Sequence, residues 1–117
     1  MESAYHNALG HYYQFYGDNV NAEKEYLKGA SILKANAIES DGNYPQHLAA
    51  LGFLYLQWPN NEHKALPIYE EAFNLIKANI LTAPSKQYLM DLHKQNTALH
   101  EYAPYKNAMN KRFKEVE

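Results

Sequence analysis

The chain has 117 residues, no cysteine, a formal net charge of −2 and 46% apolar residues. Such a length suits one domain with a continuous core, and the apolar fraction argues against disorder. The near-neutral balance gives no general attraction to nucleic acid or anionic membrane. Without cysteine there are no disulfides, thiolate metal sites or cysteine nucleophiles.

The start, MESAYHNALGHYY, lacks the charged and continuous apolar regions of a secretory leader. No run reaches the ~18 apolar residues of a membrane span. A cytoplasmic protein without membrane insertion is expected, either whole or cut from a longer chain. The basic group Lys106, Lys111, Arg112 and Lys114 is followed by Glu115 and Glu117 and reads as a solvated helix face.

Glycine and proline occur five times each, between stretches rich in helix formers, and nothing alternates like a strand. About six helices are predicted, an all-α chain. The first covers residues 3–16 and closes at Gly17, where a positive φ costs least. GDNVN is the turn, with Asn19 or Asn21 capping a second helix that runs on to residue 39. The third begins near Tyr44 and Pro45 and stops at Trp58, because Pro59 disfavours α geometry before it. Asn60 or Asn61 caps the fourth, which extends to about residue 81, and Pro67 calls for a bend or a late start. TAPS separates a fifth helix, residues 85–102, and Pro104 opens the sixth.

One pattern is stated twice. LGHYYQFYGDNVNAEKEYLKGA (9–30) is echoed by LGFLYLQWPNNEHKALPIYEEA (51–72), and ILKANAI (32–38) by LIKANIL (75–81). The stripe Tyr26, Ala30, Leu33, Ala37 returns as Tyr69, Phe73, Ile76, Ile80, shifted by 43 residues. Leu9, Gly10 and Tyr13 are followed by Ala22, Tyr26 and Gly29; Leu51, Gly52 and Tyr55 are followed by Ala65, Tyr69 and Ala72. Small residues at a helix crossing let two backbones approach, and large ones fill the flanking space.

These residues resemble the tetratricopeptide repeat (TPR), with Leu-Gly-x-x-Tyr on its first helix and Ala-x-x-x-aromatic-x-x-Ala on its second. The period of 42–43 residues is similar to the long variety of kinesin-light-chain-like repeats rather than to the ~34 of the standard unit. The usual first-helix tryptophan is replaced by His6 and Leu48. The resemblance implies an antiparallel helix-pair solenoid, a right-handed superhelical array, within one domain spanning 1–117. Its units would be 3–43, 44–83 and a degenerate third, 84–117. In that third unit Leu92, Asn96, Leu99 and Ala108 take the places of Leu48, Gly52, Tyr55 and Ala65, and Arg112 stands where an aromatic belongs, beside Phe113.

Motifs for chemistry are scarce. The six histidines show no metal-ligand spacing, and Glu23/Glu25 and Glu70/Glu71 are neighbours in sequence that point apart on a helix. Neither a phosphate loop nor a nucleophile elbow is present, so no catalytic residue, cofactor or metal is assigned. Tyr12, Tyr16, Tyr44, Tyr88, Tyr102 and Tyr105 lack motif places and have two readings, packing between helices or a recognition surface. Phe53, Leu54 and Leu56, crowded around Tyr55, either pack on a neighbouring helix or line a groove.

The resemblance implies a protein-interaction module whose first helices line a concave side. Candidate partner-binding residues are Asn7, His11 and Gln14 in the first unit, and Ala49, Phe53 and Leu56 in the second. The subtype that clamps a chaperone's C-terminal carboxylate is not expected, since Asn7, His11 and Ala50 stand where its lysine and asparagines belong. The expected partner is a protein or peptide, as an amphipathic helix or an extended segment, in an adaptor or chaperone-like role. The alternatives are a self-assembling or structural piece of a longer array, with the weak third unit as interface and a homodimer as one outcome. A small secretion-chaperone-type protein and an α-helical enzyme rank behind.

Overall fold

A computed structural model describes residues 2–35, 43–77, 83–99 and 101–116. Among them are six α-helices and one short 3-10 turn, with no strand. Helix α1 (Glu2–Phe15) ends where the sequence requires: Gly17 has φ +79°, and Gly17 N–H and Asp18 N–H donate to Gln14 O and Tyr13 O at 3.0 and 2.9 Å. This paired return of N–H groups onto the last carbonyls is the Schellman arrangement.

Helix α2 (Asn19–Ala35) follows at once, and its cap differs from expectation. Asp18, not Asn19 or Asn21, is the capping residue: its Oδ1 accepts from Asn21 N–H at 3.2 Å and its Oδ2 from the Asn21 amide at 2.7 Å. A carboxylate there also faces the positive end of the helix dipole. The predicted extensions of this helix to residue 39 and of the fourth to residue 81 lie outside the described residues, as do Ala37 and Ile80.

Helix α3 (Asn43–Gln57) stops ahead of Pro59. Asn60 takes φ +70°, and Asn61 makes no side-chain cap bond, so neither asparagine caps the fourth helix as expected. A 3-10 turn (Glu62–Lys64) leads into α4 (Ala65–Lys77) instead. Pro67 therefore falls in the first α turn, where its missing N–H is an orphan in any helix, and the late start is the outcome observed. Helices α5 (Ala83–Leu99) and α6 (Ala103–Val116) complete the chain, α5 ending short of residue 102.

α1 packs on α2, α2 on α3, α3 on α4 and α5, and α6 on α4 and α5. Within the first pair, Gly10 lies under Tyr26 near the turn and Ser3 beside Gly29 away from it, so the helices run antiparallel. A Cβ on Gly10 would sit 2.4 Å from the Tyr26 ring, and one on Gly52 would sit 2.7 Å from the Tyr69 ring. Both crossings thus use the same steric device, a glycine roofed by a tyrosine. Ala22, Ala65 and Ala72 are fully buried, Leu51 and Tyr55 nearly so, and Leu9 and Tyr13 are half-buried at the first pair's edge.

The core runs unbroken from Ala22 and Tyr26 through Leu51, Leu54, Tyr69 and Phe73 to Leu89, Tyr105, Met109 and Phe113. The third pair reaches it in a different register from the one expected. Leu99, assigned to the Tyr55 place, is 73% exposed, and Ala108 is only half-buried. The inward positions are Leu89, His93, Asn96 and Thr97 on α5 and Tyr105, Met109 and Phe113 on α6. A hydrogen bond of 3.3 Å between the Thr97 and Tyr105 hydroxyls, not a glycine–tyrosine stack, ties these helices, while Thr97 Oγ1 donates to His93 O at 2.8 Å. Phe113, not Arg112, supplies the aromatic, meeting Phe73 edge-on at 5.6 Å.

Candidate binding groove

The period of the sequence becomes a row of side chains on one side of the molecule. Gln14 Nε2 donates to Gln57 Oε1 at 3.2 Å across 43 residues, joining α1 to α3. Beside this bond lies a groove of about 250 Å³ lined by Asn7 and His11 from α1, Gln46, Ala49, Ala50 and Phe53 from α3, and Tyr88, Leu92 and Asn96 from α5. It continues into a wider lobe of about 460 Å³ bounded by His11, Gln14, Phe15, Ala50, Phe53 and Gln57.

Five of the six residues expected there border this space: Asn7, His11, Gln14, Ala49 and Phe53. Leu56 does not. It is 1% exposed and belongs to the core, as does Leu54, so the crowded apolar stretch of α3 is divided between two neighbours. Ala49 is also buried and forms floor rather than wall. Gln46, Gln57, Leu92, Asn96 and Phe15 were not anticipated, whereas Tyr88, which had two readings, lines the groove. A heptad-like count from Phe53 reaches Gln46 and Gln57, but the contribution of α5 depended on a register that the weak third unit concealed.

The polar groups are held from behind. The Tyr26 hydroxyl donates to Gln14 Oε1 at 2.8 Å, and His11 Nδ1 lies 3.0 Å from that hydroxyl's own oxygen, Tyr26 Oη. Desolvation against that ring, then the nearby His47, lowers the His11 pKa, which keeps the imidazole neutral at pH 7. Asn96 donates through Nδ2 to Tyr69 Oη at 3.1 Å. Asn7 Oδ1 is buried with no hydrogen-bond partner among the described residues, an acceptor left unused at the groove's edge.

No Asp, Glu, Lys or Arg lines either lobe. The carboxylates are engaged elsewhere: Glu25 with His6 at 2.6 Å, Glu23 with the Tyr55 hydroxyl, Glu71 with the Tyr44 hydroxyl and Lys34. Burial, then the Glu71 carboxylate, raises the Tyr44 pKa to about 12. No three His, Asp or Glu side chains converge at metal-binding distance among the described residues, and no described helix is long and apolar enough to cross a membrane. The chain matches no protein-family model, no curated protein and no solved structure.

Proposed function

We propose that the chain is a TPR-like helical-repeat module that binds an uncharged, extended segment of a partner protein in the groove of α1, α3 and α5. The observation that carries this reading is the lining itself. Amide side chains (Asn7, Gln14, Gln46, Gln57, Asn96) surround an apolar floor of Ala49, Ala50, Phe53 and Leu92. Each primary amide offers donors and an acceptor, the complement of a peptide group. An extended segment has free N–H and C=O groups to meet them, whereas a helix has used its own. A charged partner residue would lose hydration and find no counter-ion, so the segment is uncharged where it touches the floor. The glycine–tyrosine crossings at Gly10/Tyr26 and Gly52/Tyr69 support the repeat reading, and the amide-rich side then corresponds to the inner side of a short array.

The test is selection from a random displayed-peptide library, followed by titration of the enriched peptides and mapping of amide shifts. Enrichment of uncharged sequences is expected, with shifts at Phe53 and Asn96. Phe53→Glu, half-buried at the groove and outside the core, should abolish binding while keeping its helical circular dichroism. Binding that survives in folded Phe53→Glu, or enrichment of charged peptides, sinks the reading.

A further inference from the structure

Helix α1 carries one charged residue, Glu2, in 14 positions. Yet Tyr5, Tyr12 and Tyr16 stand 61%, 57% and 69% exposed, with Phe15 beside them at 83%. The three tyrosines recur at i, i+7 and i+11 and make one stripe along the helix. Ring contacts of 5.0 Å between Tyr12 and Tyr16 and 5.2 Å between Phe15 and Tyr16 join these three, and Tyr5 stands two turns earlier on the same side, its ring against His6.

The internal repeat tells what kind of surface this is. A shift of 42 residues places Tyr5, Tyr12 and Tyr16 on His47 and Leu54 of α3 and on Trp58 just past its end. These places are covered: His47 lies against Gly29 and reaches Ser3 O at 3.0 Å, Leu54 is fully buried and Trp58 packs on the core. The side that α3 turns to the preceding helix pair is the side α1 leaves open.

We propose that a second copy of this chain covers it, with the two α1 helices antiparallel about a two-fold axis between Ala8 and Tyr12. Four aromatic side chains of ~150–250 Å² each, more than half exposed, present roughly 400–600 Å² per copy. With Ala8 and Leu9 between them, this approaches the ~800 Å² per partner of a stable interface. Depletion of charge with enrichment of tyrosine and phenylalanine marks the core of such contacts. An uncharged surface also meets its own image without like-charge opposition. Head-to-tail growth is disfavoured, because α6 exposes Asn107, Asn110, Lys111 and Lys114, polar groups that would lose water against aromatic rings. The two-fold contact closes on itself and yields a dimer.

This proposal shares only Phe15 with the groove reading, and the variants that test it leave Phe15 unchanged; the first measurement is sedimentation equilibrium across a concentration series. Wild type should move from 13.5 kDa toward twice that mass and no further. Tyr12→Glu/Tyr16→Glu, altering exposed positions only, should weaken the dimer by roughly a hundredfold with unchanged circular dichroism. A wild-type monomer at millimolar concentration, growth beyond two copies, or an unweakened dimer in the folded double variant would each overturn it. A second measurement leaves the aromatic stripe intact: because the chain has no cysteine, Ala8→Cys can be joined by a short bis-maleimide. Cross-linked dimer from Ala8→Cys but not from Asn110→Cys is the expected result, and equal or reversed yields refute the interface.

Discussion

The ring of Tyr69 lies across Gly52 so closely that a Cβ there would come within 2.7 Å of ring carbons Cε2 and Cζ. Tyr26 covers Gly10 in the same way, and both rings are buried without exposure, so neither can swing aside. The contact sets how near α3 and α4 approach, and the hydroxyl at the end of the ring continues to Asn96. One residue pair thereby links the crossing of two helices to the wall of the groove.

Gly52→Ala should therefore destabilise the fold. Overpacking costs about 1–3 kcal/mol, against about 1 kcal/mol gained from helix propensity. A net loss of up to about 2 kcal/mol is expected in urea unfolding. In a Tyr69→Leu background the same alanine should cost nothing or stabilise. Equal costs in both backgrounds would show that the ring does not set the approach.

His93 makes stability depend on pH. It is fully buried between Tyr69 and Phe73, at ring distances of 5.0 and 4.9 Å, and neither ring nitrogen has a partner among the described residues. Desolvation lowers its pKa from 6.5 to about 4. In the unfolded chain it takes a proton near pH 6.5; in the folded chain it resists until about pH 4. The unfolded state binds more protons in that window, so the contribution of His93 is full above about pH 6.5 and is lost as pH drops to about 4; His11, whose pKa is also lowered, adds to the fall in the same direction. The total loss is about 3 kcal/mol. Glu25, whose pKa is lowered chiefly by its hydrogen bond to His6, loses its contribution only below its ordinary value of 4.5, so the windows separate. Unfolding midpoints measured from pH 7.5 to 4.5 check this, and His93→Phe should reduce the slope, leaving the part due to His11. An unchanged slope in His93→Phe would assign it to another group.

Arg112 staples the last helix. Nη1 lies 3.2 Å from Glu70 and 2.9 Å from Glu115, Nη2 donates to Asn74 Oδ1 at 2.8 Å, and the guanidinium sits 5.8 Å from the Phe73 ring centroid. Arg112→Ala should cost about 1–2 kcal/mol, because Glu70 keeps its access to water. Arg112→Lys should recover only part, lacking the planar fork. Amide exchange should rise in α6 before α1 and α2; uniform exchange across all helices would show that α6 is not held by this residue.

Much of this architecture was legible in the chain. Gly10 with Tyr26 and Gly52 with Tyr69 betray the helix crossings because close approach demands the smallest side chain opposite a large flat one. The row Asn7, His11, Gln14 and Phe53 was named from the resemblance, which puts first-helix residues on one inner side, and all four border the groove. Leu56 was not: three residues beyond Phe53, it could belong to either side until α3 had neighbours. The third pair takes a different register because its crossing has no glycine under a tyrosine ring; Thr97 and Tyr105 meet there through their hydroxyls instead.

The sequence by itself determined an all-α chain, its helix ends at Gly17 and before Pro59, and a doubled pattern of small and aromatic residues, because steric limits on φ and on helix approach act locally. Tertiary structure alone decided the rest. Which apolar side of α3 is core, how α5 completes the groove, why Phe113 replaces Arg112, and that no described helix of the same chain covers Tyr5, Tyr12 and Tyr16 all depend on which neighbour each side meets. Spacing along one helix defines its sides, but only packing assigns what covers them.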